Sequence, residues 1–211
     1  KILWINDKES FHHSLNLDAD NFIWANTTMR PFSKFVSNFD YKYSENYLDD
    51  AIKKVNLDGE ILYTKSITEL LFEENIVKLN DIFLKSREYD PIHSNDIEPA
   101  LTNTKYWKKN DLFISLREQS AIIHFRPSTG KIINYIEGPF YEQHDVDIIS
   151  DNEISIFNNN NSIFKDSKYS NVLIYNFETQ KFLKKFSKSL ENDEFKADAQ
   201  GLSEILQDGS M

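Results

Sequence analysis

The chain has 211 residues, enough for one domain with a sizeable core, and its 40% hydrophobic and 14% aromatic content excludes intrinsic disorder. A net charge of −10 excludes a broad nucleic-acid-binding face, which needs clustered Lys and Arg to neutralise phosphates. There is no Cys, so disulfides and thiolate metal sites are excluded, and no apolar run approaches membrane-spanning length.

Strand signals dominate in chain order. Lys1 to Asp7 reads as the last strand of a preceding unit. His13 opens an alternating segment, His13-Ser14-Leu15-Asn16-Leu17, and Asn21 to Ala25 is its partner strand. Ala51 to Leu57 and Glu60 to Thr64 form a hairpin around Asp58-Gly59, a strong two-residue turn signal. Ser66-Ile67-Thr68-Glu69 then has capping-box spacing ahead of apolar positions Leu70, Leu71, Ile76, Leu79 and Phe83, which predicts a helical insertion over 66–86.

The pattern then resumes. His93 opens a strand whose partner is Asp111 to Arg117, followed by a hairpin of Ala121 to Arg126 and Lys131 to Ile136 around Pro127-Ser128-Thr129-Gly130. His144 to Ser150 pairs with Glu153 to Asn158 across Asp151-Asn152. Its hairpin is Val172 to Phe177 with Lys181 to Phe186. Gly201 to Met211 reads as the start of a further unit, with Asp208-Gly209 as its turn. Each unit is a histidine strand, its partner and an outer hairpin. Four-stranded units in series predict an all-β fold, a β-propeller of four-stranded blades. Residues 1–211 are then a partial propeller of about three blades plus parts of two flanking ones, cut at both ends.

A single histidine at a strand start is ordinarily a hydrogen-bonded structural residue. Three in corresponding places, His13, His93 and His144, converge on one point if the units are arranged radially. Asn95 follows His93 by two residues, so alternation places it on the same face. Arg117 ends the neighbouring strand and offers a fixed cation for an oxyanion. Imidazoles, an amide and a guanidinium suit a tetrahedral anion such as sulfate, and neutral imidazole is a good nucleophile. A three-histidine metal site is the competing chemistry, with Asp96, Asp145 and Asp147 at hand. Alternation points Asp145 away from His144, and Arg117 disfavours a cation in the same pocket, so no metal is expected.

The other candidates read as structural. His124 sits inside an outer hairpin strand. His12 should face away from His13, although a register slip would exchange them. Tyr106 and Trp107 suit either a loop anchor or an aromatic wall for an aryl substrate, the anchor being the commoner use. The run Asn158 to Asn161 is a loop signal in which Asn158 could reach the channel rim. The lysines near 181–188 read as a solvated edge.

At Asp90-Pro91-Ile92-His93-Ser94-Asn95-Asp96-Ile97, Ser115-Leu116-Arg117-Glu118-Gln119-Ser120 and Gln143-His144-Asp145-Val146-Asp147-Ile148, the chain resembles the bacterial arylsulfotransferases. Phe157-Asn158-Asn159 and His12-His13-Ser14-Leu15 add to the resemblance. It implies a six-bladed propeller with the active site in its central channel. It also implies sulfuryl transfer from an aryl sulfate to a phenol, small molecules both, with no nucleotide donor and no cofactor. The implied mechanism is ping-pong through a sulfohistidine. By motif order His144 matches the nucleophile. His93, Asn95 and Arg117 match the residues binding the sulfuryl oxygens, and His13 matches a further histidine for binding or proton transfer. The family expectation is a periplasmic or exported protein, although this stretch shows no export signal. A sulfate-ester hydrolase on the same scaffold and a non-catalytic propeller binding module are the alternative readings. Acceptor dependence separates the first from transfer, and donor turnover separates the second.

Overall fold

The computed structural model describes residues 2–38, 46–76, 89–161, 169–206 and 208–211. Among these described residues, twelve strands form three four-stranded antiparallel sheets, each meandering in chain order. The first holds β1 (Ser10–Leu17), β2 (Ile23–Thr28), β3 (Asp50–Val55) and β4 (Ile61–Ser66). The second holds β5 (Ser94–Pro99), β6 (Leu112–Leu116), β7 (Ala121–Arg126) and β8 (Lys131–Glu137). The third holds β9 (Asp145–Ser150), β10 (Glu153–Asn158), β11 (Asn171–Asn176) and β12 (Lys181–Leu183). With few helices besides, this all-β arrangement is consistent with a β-propeller-like fold.

Strand alternation distributes the core between the sheets. On β6, Leu112, Ile114 and Leu116 join Trp24 and Ile52 of the first sheet, whereas Phe113 joins Val146, Ile154 and Ile156 of the third. The middle sheet is thus covered on both faces, which is why β6 and β7 read as nearly unbroken apolar runs. On β1, by contrast, Leu15 and Leu17 are exposed.

The first strands of the sheets, β1, β5 and β9, lie side by side. One device recurs between them. Ser14 Oγ accepts from the Ile97 amide at 3.0 Å, and Asp96 Oδ2 accepts from the Val146 amide at 3.0 Å. Asp145 Oδ2 accepts in the same way from the Ser203 amide at 2.8 Å. A polar side chain on each of β1, β5 and β9 therefore pins the backbone of the segment beside it, which a slip of register would break.

Several expectations change. β1 begins at Ser10, so His13 lies inside it, at a bulge between His12 and Leu15 with φ of +57°. His93 and His144 lie immediately before β5 and β9, and a second bulge at Asn95 breaks the alternation that was to align it with His93. Lys1 to Asp7 was expected to end a blade, but the described residues there form no strand. Instead Trp4 packs on the turn, donating from Nε1 to the Leu57 carbonyl at 2.8 Å. A Cβ at Gly59, whose φ is +88°, would stand 2.9 Å from the Trp4 ring.

Ser66 caps α1 (Ile67–Glu73) by accepting from the Glu69 amide, and Ile67, Leu70 and Leu71 are buried against the first two sheets. Leu79, Phe83 and the rest of the expected insertion from 77 on lie outside the described residues. β12 stops at Leu183, short of the expected Phe186. The chain then turns into α2 (Ser187–Asn192), which the lysine-rich sequence did not suggest. After it, the Leu206 amide donates to the Ser210 carbonyl and the Gly209 amide to the Leu206 carbonyl, but the described residues from 199 to 206 join no ladder.

Candidate active site

His13, His93, Asn95, Arg117 and His144 all line one cavity of about 820 Å³, which residues of the segment 195–202 after α2 also line. The bulge in β1 turns His13 inward, with its ring centroid 5.2 Å from that of His93 and 6.4 Å from that of His144. His12 stays outside the lining but touches His13, their Nδ1 atoms 2.8 Å apart. Burial first, and then the neighbouring imidazoles, push the pKa of His13 down to about 4. His12 is also lowered, chiefly by burial.

The other two histidines differ in their partners. Asp90 Oδ2 lies 2.5 Å from Nδ1 of His93. Burial opposes charge on His93, but the hydrogen bond and negative charge of Asp90 outweigh it and hold the pKa above the usual value. His144 Nδ1 lies 2.8 Å from Asn159 Oδ1, and its backbone amide donates to the Phe157 carbonyl. Burial lowers the pKa of His144, the Asn159 bond opposes this, and the charge of Arg117 adds to the lowering. One cavity therefore holds an imidazole that favours its cation and two that favour the neutral ring.

Arg117 is buried, and its terminal nitrogens pair with Glu118 and with Glu142, the latter at 2.5 Å. Two carboxylates fix the plane of the guanidinium, which has five N–H donors in all. Asn95 donates from Nδ2 to the Gln143 carbonyl at 3.1 Å, and Gln143 is held by Ser115 Oγ and two β-strand carbonyls. Asp50 is buried beneath the site, where it accepts from the Ser94 amide at 2.7 Å and lies 3.7 Å from Nε2 of His12. Burial pushes its carboxyl up to about 7.

Asp145 lines the same cavity as His144, contrary to the alternation argument, because His144 precedes the strand and alternation does not extend to it. Among the described residues, no three His, Asp or Glu side chains are placed to hold a metal ion. Trp107 is core, edge-on to Phe113 and Phe177, so it is no wall for a substrate. His124 is buried, donating from Nε2 to Asp111 and accepting at Nδ1 from Asn134. Asn158 does not reach the rim: its Oδ1 accepts from the Tyr141 and Asn160 amides, and its Nδ2 donates to Asn171. Sequence reasoning missed Asn159 at His144. Asp90 stands three residues before His93, but nothing in the sequence alone marks it as the partner of that ring.

The sheets are propeller-like, and three imidazoles, an amide and a guanidinium line a cavity beside their first strands. The chain belongs to the arylsulfotransferase (ASST) family, whose sequence model matches residues 5–211. No curated protein matches the chain. Among solved structures, it is similar to a protein of unknown function from Bacteroides caccae, at 12% identity and a TM-score of 0.44. The match covers 86% of this chain and 48% of the other, so the chain spans about half the length of that protein. Among the described residues, no helix is long and apolar enough to cross a membrane.

Proposed function

We propose that the protein moves a sulfuryl group from an aryl sulfate to a phenol through a sulfohistidine at His144, in a six-bladed propeller of which this chain is a part. The observation that carries this reading is the unlike partner of Nδ1 on two histidines of one cavity, the Asn159 amide oxygen on His144 and the Asp90 carboxylate on His93, which lowers the pKa of the first relative to the second. Asn159 engages Nδ1 of His144, so Nε2 is the nucleophile. Its lone pair forms the N–S bond as the S–O bond to the aryl group breaks, and the phenolate leaves with that electron pair. His93 gives the phenolate a proton. In the second half, the acceptor phenol passes its proton to His93, its oxygen attacks sulfur, and the N–S bonding pair returns to Nε2. Arg117 and the free amide hydrogen of Asn95 face the sulfuryl oxygens, whose charge grows in the transition state. His13, neutral between them, serves in binding.

The test is incubation of the full-length protein with p-nitrophenyl sulfate and no acceptor, followed by peptide mass spectrometry. A sulfuryl group on His144 that added phenol discharges is the expected result. Nitrophenol release with no adduct on any histidine would overturn the covalent route in favour of direct hydrolysis.

A further inference from the structure

We infer that Asn159 is the positioning residue of His144, holding its ring as the Nδ1–H tautomer so that Nε2 keeps a free lone pair. This rests on the reading of His144 as the nucleophile. Asn159 is fully buried, and its Nδ2 donates to the carbonyls of Ala197 at 2.8 Å and Gln200 at 3.0 Å. Both amide hydrogens are thereby used, and Oδ1 can only accept. The 2.8 Å bond to His144 must then carry its hydrogen on the imidazole. Turning the amide over would set Oδ1 against two carbonyl oxygens and NH₂ against the ring, so the network admits one orientation.

The backbone around Asn159 is held as well. Its carbonyl accepts from Ser170 Oγ at 3.2 Å and from Lys196 Nζ at 2.9 Å. Ala197 and Gln200 belong to the segment that walls the cavity, so the lock on the ring is built into that wall. Asp90 makes the corresponding bond to Nδ1 of His93, but as an anion. A carboxylate orients the ring and favours its cation, whereas an amide orients it without adding charge. The choice of Asn at 159 and Asp at 90 thus separates a nucleophile from a proton donor using the same bond.

The test is imidazole ¹⁵N NMR on the full-length protein and on an Asn159→Ala variant. The unmodified protein at pH 7 is expected to show His144 with a pyrrole-type Nδ1 and a pyridine-type Nε2, and the variant to lose that preference. An Nε2–H tautomer in the unmodified protein would overturn the inference. So would an Nδ1–H tautomer that survives in the variant. Asn159→Asp supplies the kinetic readout. The charged and titratable groups around His144 are His13, His93, Arg117 and Asp145, with Lys196 behind Asn159. Against that background the added carboxylate should move the acid limb of the pH–rate profile to higher pH, which a merely structural role would not do. If the tautomer stands while no sulfuryl adduct forms on His144, the transfer reading fails and the positioning role does not.

Discussion

The carboxylate of Asp90 lies 2.5 Å from Nδ1 of His93, whose ring lines the same cavity as that of His144. The rate should therefore depend on pH through both limbs of a bell. His144 is lowered and must be neutral, so the acid limb falls below the ordinary histidine value of 6.5. His93 is raised and must be protonated, so the alkaline limb lies above 6.5. Asp90→Asn removes the charge that holds His93 up. The alkaline limb of kcat/KM should then move to lower pH while the acid limb stays. Profiles of both proteins with one aryl sulfate check this, and an unmoved alkaline limb would refute it.

Arg117→Lys keeps a positive charge but loses the planar fork that Glu118 and Glu142 orient. Activity should fall about 10²-fold in kcat/KM, as expected when one preorganised oxyanion donor is lost. Steady-state kinetics with a series of leaving groups is the measurement. An unchanged kcat/KM would remove Arg117 from the sulfuryl site.

Asp96 and Glu98 on β5 lie close to Asp147 on β9, with Asp145 two residues before it. Burial and then mutual repulsion push Asp96 up to about 7 and both Glu98 and Asp147 up to about 8. Each is raised above its unfolded value, so its contribution to stability is full below about pH 4 and is lost as pH rises through about 7 to 8. The melting temperature should drop by several degrees between pH 6 and pH 9. Asp147→Asn, which removes one of the charges, should flatten that drop, as differential scanning calorimetry at each pH would show.

Trp107 fills the core between the second and third sheets, where it meets Phe113 and Phe177. Trp107→Ala should cost about 3–5 kcal/mol in chemical denaturation. KM for the donor should stay as it is under conditions where the variant is folded. A raised KM with unchanged stability would return this ring to the substrate site.

Much of this architecture was legible in the residues. The hairpins at Asp58-Gly59 and Pro127-Ser128-Thr129-Gly130 formed as patterned, because turn chemistry and two-residue alternation act over a few neighbouring residues. The cap of α1 at Ser66 is local in the same way. Lys1 to Asp7 misled because its apolar run looked like a strand, yet a strand also needs a ladder. Those residues instead use Trp4 to cover Gly59.

The sequence by itself determined the order of strands, the apolar faces that assemble the sheets, and the set His13, His93, Asn95, Arg117 and His144. What only the tertiary structure decided is the state of those side chains. The bulges at His13 and Asn95 set where they point, since a bulge depends on the register of two strands together. Partners distant in the chain set their protonation: Asn159 reaches His144 across 15 residues, and the amide of Ser94 meets Asp50 across 44. Burial and hydrogen bonding shift a pKa only once such groups have been brought together, so the difference between His93 and His144 exists in the folded chain alone.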